Sequence, residues 1–556
     1  VTMRLRGRSA QRSRAPPVIG LVTVGKVETC NVEAGLDHLA QCFFVVRRWT
    51  QRRDDLRPSS HGGDYCICES QAYYGFVVAS STCHLQSLCW ATGLVTPDPG
   101  KMDRRRFIQN LAVAVSAPTL GLTTRAADAR TGPLKSDPGK RLDLPEGYEY
   151  SIVSTAGDLM DDGMRVPYAH DGMAAFPGPN GRIVLVCNHE IGPAYGHRSA
   201  FADQFDQLPE AVKVKFYDRG NDKTPGCGGT TTTVYNPATR ETERQFLSLA
   251  GTEVNCAGGP TPWGSWLSCE ECFESPGRGW SSARLVEREQ WHGYVFEVPA
   301  AADGLVDPVP IRAMGKFEHE AAAVHERSGI VYMTEDRHHS LFYRYIPAVP
   351  GDLLKGGKLQ ALAIDGRPSF RTHNWSNGAA ILPGETYATR WIDLDDVDSD
   401  ENDLRLRGAA QGAAVFARGE GLCTDGDNFA FTCTIGGAAR LGQVFAYRPS
   451  PHEGESNEQD APGQLTLVAE ATHESILRNA DNITFSPWGD LVVCEDTSSH
   501  CGIVGIRPDG TQYQLADNAH SDSELAGVCF SPDGKTLFVN VQYPGTTLAI
   551  TGPFPT

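Results

Sequence analysis

The stretch DNITFSPWGDLVVCED, Asp481 to Asp496, reads as two short β runs folded about a tight turn. Ile483 to Phe485 and Leu491 to Cys494 supply β-branched and apolar residues, and Ser486-Pro487-Trp488-Gly489 supplies the turn between them. The SPxG turn recurs at Ser531, inside FSPDGKTLFVNVQ (Phe530 to Gln542). Working outward, the same phrasing runs from about Leu142 onward. It is seen in RIVLVCNHE (Arg182 to Glu190), GYVFEV (Gly293 to Val298), GIVYMTED (Gly329 to Asp336) and SLFYRYIP (Ser340 to Pro347). FAFTCTIGG (Phe429 to Gly437), GQVFAYRP (Gly442 to Pro449) and GIVGIRPDG (Gly502 to Gly510) continue it. Short strands split by Gly, Pro, Asn and Asp, with little helical patterning, predict an all-β chain. Radial repetition of four-stranded sheets, a β-propeller with long inserted loops, accounts for the pattern. The spacing is irregular, so a sandwich or a β-helix competes.

A chain of 556 residues can hold several domains, but large β proteins run long as one. Formal net charge is −18, which disfavours a nucleic-acid partner. The first 101 residues carry 12 Lys/Arg against 8 Asp/Glu, a net +4, so the remainder carries −22. The acidic surplus lies in the later part, with the motifs, where it serves either solubility or cation binding. Of 16 cysteines, six precede residue 102 and ten follow. Cys269 and Cys272 make a CxxC-like pair with no second pair to match, a weak zinc signal.

Met102 opens MDRRRFIQNLAVAVSAPTLGLTTRAADA, in which Arg104 to Arg106 precede an apolar run and Ala127-Asp128-Ala129 forms an A-x-A cleavage site. This is a twin-arginine export signal, and it implies the twin-arginine export machinery as a partner and a periplasmic or extracellular location. A signal beginning at residue 102 is out of place, so residues 1–101 are expected to be an upstream extension, 102–129 the signal and 130–556 the functional domain. No apolar stretch long enough for stable membrane insertion occurs in the functional domain.

Candidate ligands lie at strand ends and turns. Cys256 and Glu271 occur in NCAGGPTPWGSWLSCEE (Asn255 to Glu271), Glu320 in KFEHEA (Lys316 to Ala321) and Glu335 in YMTEDR (Tyr332 to Arg337). Glu420 occurs in ARGEG (Ala417 to Gly421), Glu190 ends VLVCNHE, and Asp481, Asn482 and Glu495 bracket the opening hairpin. A propeller converges such residues on its central channel. Hard oxygen ligands suit calcium, and a thiolate such as Cys256 suits iron or zinc. Arg418 is a candidate oxyanion clamp, because its planar fork matches phosphate. Arg337 reads as neutralising its carboxylate neighbours, and His338 and His339 as surface residues. His319 is either a ligand or a packed neighbour. No GxSxG elbow, P-loop or GxGxxG after a strand is present, so metal-assisted hydrolysis is the chemistry that remains.

Together, RRRF, CNHE, NCAGGPTPWGSWLSCEE, MGKFEHEA, YMTEDR, RGEG, DNITFSPWGDLVVCED and GVCFSPDGKTLFVNVQ resemble the PhoX-type secreted alkaline phosphatases. The resemblance runs from about Met102 to the C-terminus. It implies a six-bladed propeller that releases phosphate from small phosphate esters with calcium (Ca2+) and iron (Fe3+) as cofactors. It implies Cys256 as the iron ligand, Glu271, Glu320, Glu420, Asp481, Asn482 and Glu495 as metal ligands, and Arg418 as the substrate-phosphate contact. Glu190 and Glu335 extend this set by their placement. A calcium-dependent propeller lactonase, in which Cys256 is a core thiol, and a non-catalytic secreted binding propeller are the alternatives.

Overall fold

The computed structural model describes residues 132–375 and 380–555. The expected extension 1–101 and the signal 102–129 lie outside the described residues. The described chain is almost entirely antiparallel β-structure in a propeller-like arrangement. Two sheets show the unit clearly. One runs His170–Pro177, Ile183–His189, Gly228–Asn236, Glu241–Thr252 in chain order. The other runs Leu525–Phe530, Thr536–Val541, Thr546–Thr551 and is completed by Glu149–Thr155 from the start of the domain. That pairing of first and last segments clasps the ring shut, with Thr155 opposite Thr546.

The remaining sheets vary the unit. Asn255–Pro260, Ser265–Glu270 and Val295–Pro299 make three strands. The runs beginning at His319–Val324 and Gly419–Thr424 share one nine-stranded sheet through Thr386–Asp393. The run beginning at Ala480–Phe485 is widened by Leu142–Pro145 and Leu134–Lys135 at its edge. The innermost strands pack side by side in the order His170–Pro177, Asn255–Pro260, His319–Val324, Gly419–Thr424, Ala480–Phe485, Leu525–Phe530 and back to the first.

The close approach of these strands explains their small residues. A Cβ on Gly172 would lie 2.5 Å from the Ala257 Cα, and one on Gly421 would lie 2.6 Å from the Asp481 carbonyl oxygen. Between sheets the core is apolar and aromatic. Phe342 stacks on Phe431 with centroids 4.4 Å apart, and Phe416 meets Phe431 edge-on at 5.3 Å. Offset and edge-on rings of this kind add about 0.5–1.5 kcal/mol per pair beyond burial. No helix of the described residues is long and apolar enough to cross a membrane.

Candidate metal centre

Each inner strand carries the same irregularity. Its first residue pairs with the last residue of the next strand out: His170 with His189, Asn255 with Glu270, His319 with Glu335, Gly419 with Cys433, Ala480 with Glu495 and Leu525 with Val541. A bulge follows within the next residues of every pair. Bulges re-aim side chains. Here the strand's second residue is Asp171, Cys256, Glu320, Glu420, Asp481 or Ala526. The residue just past the partner strand is Glu190, Glu271, Asp336, Thr434, Asp496 or Gln542. These two sets converge at one mouth of the channel.

Ligand-type atoms there fall into four groups, in each of which all lie within 4.8 Å of one another: Asp171, Glu190 and Cys256; Cys256, Glu271 and Glu320; Glu320, Glu420 and Asp481; Asp481, Asp496 and Glu524. Each group shares a member with the next, so they form one continuous arc. Both carboxylate oxygens of the buried Glu320 lack a hydrogen-bond partner. Burial first, and then the carboxylates of Glu420 and Glu271, push the Glu320 carboxyl well above its ordinary range. Burial and Glu190 do the same to Asp171, and burial and Asp336 to Glu271 and Glu420. Asp481 is raised to about 7 by burial and Asp496. Burial and Asp171 hold the Cys256 thiol well above its usual value. Like charges gathered in a desolvated site cannot all ionise without a counter-charge.

Arg418 supplies one. Its Nε and Nη2 donate to the two oxygens of Asp336 at 2.6 and 2.8 Å, and Nη2 lies 2.7 Å from Glu420 Oε1. Desolvation opposes its charge, but Asp336 and Glu420 outweigh it and hold the guanidinium firmly protonated. Arg418 sits at φ +54°, and Ala169, Val254 and Asn479, each the residue before an inner strand, share that left-handed conformation. The position before the strand is thus a repeated entry turn, and this one carries a cation. Gln542 donates from Nε2 to Asp171 at 3.0 Å and to Glu190 at 2.7 Å, tying that end of the arc together.

Seven of the expected residues therefore meet at the mouth: Glu190, Cys256, Glu271, Glu320, Glu420, Asp481 and Arg418. The structure places the other three differently. Glu335 accepts from the Tyr343 hydroxyl at 2.8 Å and the Leu341 N–H at 3.3 Å. Glu495 accepts from the N–H groups of Arg478 and Gly502 at 2.7 and 2.9 Å. In both doublets the following aspartate, Asp336 or Asp496, faces the mouth instead. Asn482 accepts from the Gly527 N–H at 2.6 Å and donates to Asp481 Oδ1 at 3.0 Å, bridging two inner strands. His319 is a packed neighbour, its Nε2–H donating to the Gly315 carbonyl at 3.0 Å and its ring stacked 3.6 Å from that of Phe317. Arg337 pairs with Glu318. All ten cysteines among the described residues are free thiols, and Cys269 and Cys272 join no metal-type group there. Sequence reasoning passed over Asp171, Asp336, Asp496, Glu524 and Gln542. The phrase HDGMA at Asp171 has the same shape as HEAAA at Glu320 and GEGLC at Glu420, which is the signal that finds it.

The sequence matches the alkaline phosphatase PhoX family over residues 129–545. The chain belongs to that family and is a phosphatase. Among solved structures it is similar to Pseudomonas fluorescens PhoX in complex with vanadate, a transition state analogue, at TM-score 0.56 and 20% identity, covering 76% of this chain and 97% of that one. It also aligns with a gluconolactonase, XC5397 from Xanthomonas campestris, at TM-score 0.34 and 12% identity, over 76% of this chain and 98% of that one. Regucalcin, a calcium-binding protein from Agrobacterium tumefaciens, aligns at TM-score 0.33 and 10% identity, over 72% and 96%. No curated protein matches the chain.

Proposed function

We propose that this enzyme is a calcium- and iron-dependent phosphomonoesterase acting on small phosphate esters at the mouth of a six-bladed propeller. The observation that carries the reading is the arc of linked ligand groups in which Glu320 is buried with both oxygens unpartnered. Its donor set fits the two cations. Carboxylate oxygens from Asp171, Glu190, Glu271, Glu320, Glu420 and Asp481, with Asp496 and Glu524, suit calcium. The thiol of Cys256, shared by two of the groups, suits iron once deprotonated, and binding a cation is what would release its proton. Glu335, Glu495 and Asn482, tied up in hydrogen bonds of their own, would act beside the cations rather than on them. The ring of six inner strands, each leading outward through its own run of antiparallel strands, supports the count of six blades.

When bound, the cations polarise the phosphoryl oxygens and offset the charge that builds up on them. The chain's own residues do the rest. Asp336 fixes the Arg418 guanidinium through two hydrogen bonds, leaving Nη1 with its two N–H donors toward a phosphate. A fork held in this way needs no reorganisation as negative charge grows on the equatorial oxygens. Burial of the arc keeps bulk water from screening these contacts. We infer export through the twin-arginine machinery to the periplasm or beyond. The RRRF phrase before an A-x-A site supports it, as does a family match that begins at residue 129, where the signal would be cut.

The test is hydrolysis of 4-nitrophenyl phosphate by the purified protein, with and without a calcium chelator, beside Cys256→Ala. Activity lost on chelation and in the variant is the expected result. Activity that survives both sinks the iron–calcium reading.

A further inference from the structure

Inside, the mouth is acidic, but one arc of its rim is basic. The loop leaving Asp336 carries His338 and His339, and the loop leaving Thr434 carries Arg440. The segment His373 to Trp375 lies against both: the Gly437 N–H donates to the His373 carbonyl at 3.0 Å, Trp375 Nε1 donates to the Ile435 carbonyl at 2.7 Å, and the His338 ring meets the Trp375 ring at 6.1 Å. Arg371 pairs its backbone with Val415, three residues before Arg418. The Arg418 N–H in turn donates to the Arg337 carbonyl at 2.8 Å, so this rim is joined to the candidate phosphate contact through the main chain.

Carboxylates facing the rim are already engaged. Glu318 takes Arg337 and the Asn402 amide, and Glu335 lies 4.0 Å from Arg405. Glu470 accepts from Asn374, Gln443 and the Ala438 N–H. Arg371 and Arg440 are exposed and have no carboxylate partner among the described residues. Arg440 is nevertheless positioned: its guanidinium lies 4.7 Å above the Trp375 ring, whose ring in turn stacks on His373 at 4.2 Å. His339 meets the Trp375 edge at 5.4 Å. Burial, then His339, Arg371 and Arg440, push His373 down to about 4, which fits cations gathered around a neutral imidazole. A cation–π platform orders a side chain that would otherwise sweep through solvent. In a domain so acidic, the ordered guanidinium of Arg440 and the exposed one of Arg371, whose charges both act on His373, stand unneutralised beside the mouth.

We propose that Arg371 and Arg440 form a subsite for a second anionic group on the substrate, so that the mouth selects phosphomonoesters whose alcohol carries a carboxylate or a further phosphate. This rests on the phosphatase reading and deepens it. With the scissile phosphate at Arg418, an alcohol extending over this rim would meet guanidinium forks, which pair with carboxylate or phosphate geometry.

The experiment compares kcat/KM for 3-phosphoglycerate and glycerol 3-phosphate, esters that differ in a carboxylate against a hydroxymethyl group. The unmodified protein is expected to favour 3-phosphoglycerate. In the Arg371→Gln/Arg440→Gln double variant that preference should fall about tenfold, through KM, the size expected for two solvent-facing ion pairs. Raising ionic strength to about 1 M, where the Debye length is about 3 Å, should erode it in the unmodified protein too. An equal loss for both esters would mean that the rim merely steers phosphate inward, and it overturns the subsite. So does a preference that is absent, or that the variant retains. Hydrolysis of neither ester would remove the phosphatase reading itself, and this inference with it.

Discussion

Glu253, Glu270 and Asp218 are as deeply buried as Glu320 and Glu420, yet the two regions treat their charge in opposite ways. Around His292 every carboxylate has donors. Glu270 accepts from His292 Nδ1 at 2.7 Å and from the N–H groups of Glu253, Gly293 and Tyr294. Glu253 receives the Arg288 fork at 2.8 and 2.9 Å, and Asp218 accepts from His292 and the N–H groups of Gly220, Glu289 and Gln290. Burial alone would raise Asp218, but His292 and these donors hold it below its usual range. Burial alone would lower His292, but Glu270 and Glu253 hold it well above. At the channel mouth burial meets a crowd of carboxylates that the fork of Arg418 and the amides of Gln542 and Asn482 do not offset, and the carboxyl groups rise. The first region is a finished ion network. The second is left with an acidic surplus, which the proposed cations would complete.

The comparison can be broken most sharply by activity. Replacing two shared members of the arc, Glu320→Gln with Asp481→Asn, should lower kcat/KM for 4-nitrophenyl phosphate by at least about a hundredfold, because metal-assisted charge stabilisation is worth several kcal/mol. A variant that keeps its rate would show that the arc is not the catalytic centre. In the finished network, His292→Gln removes the positive partner of buried carboxylates. Its expected cost is about 3–5 kcal/mol in urea unfolding, with or without added metal. A cost below about 1 kcal/mol would mean that those carboxylates are not ion-paired.

Stability against pH sharpens the contrast. Asp481 stands at about 7, and Glu320, Glu420, Asp171 and Glu271 are raised above the usual range near 4. Between those limits the folded, metal-free protein binds more protons than the unfolded chain, so stability must fall as pH rises. The metal-free protein should lose about 2 kcal/mol between about pH 5 and pH 8, and calcium should reverse the slope. His292 works differently: its folded value is raised, so its contribution is full below about 6.5 and is lost only as pH climbs through that raised value. A flat metal-free profile over this window would contradict the account of the mouth. The smallest effect has the opposite sign to most core changes. Glu320→Gln should stabilise the metal-free protein at about pH 8 by on the order of 1 kcal/mol, since it removes a carboxyl whose ionisation the buried site penalises, and differential scanning calorimetry reads it directly.

How much of this was legible in the chain depended on the period of the strand. The paired β phrases and the SPxG turns at Ser486 and Ser531 announce hairpins, and Cys256, Glu271, Glu320 and Glu420 stand out beside small residues. Adjacent carboxylates do not announce which of them turns inward. Glu335 and Asp336, or Glu495 and Asp496, look alike in sequence, but neighbouring strand residues face opposite sides. Only the pairing of Glu335 with His319 and of Glu495 with Ala480 decides that the glutamate ends the ladder and the aspartate leaves it toward the channel. Glu524 had no phrase to mark it, because it reaches the mouth from the residue before Leu525 while the ligand position within that strand is Ala526. The His292 network was invisible for a related reason. Asp218, Glu253, Glu270 and His292 come from separate turns and strands that only the folded sheet brings together.

The most direct test of the central claim is a calcium titration of the thermal midpoint of the metal-stripped protein at about pH 8, beside Glu320→Gln/Asp481→Asn. The account predicts a rise of several degrees in the unmodified protein, since about 2.7 kcal/mol of linkage is gained at a hundred times Kd, and none in the variant. An unmoved midpoint in the unmodified protein, or an equal rise in both, would contradict it.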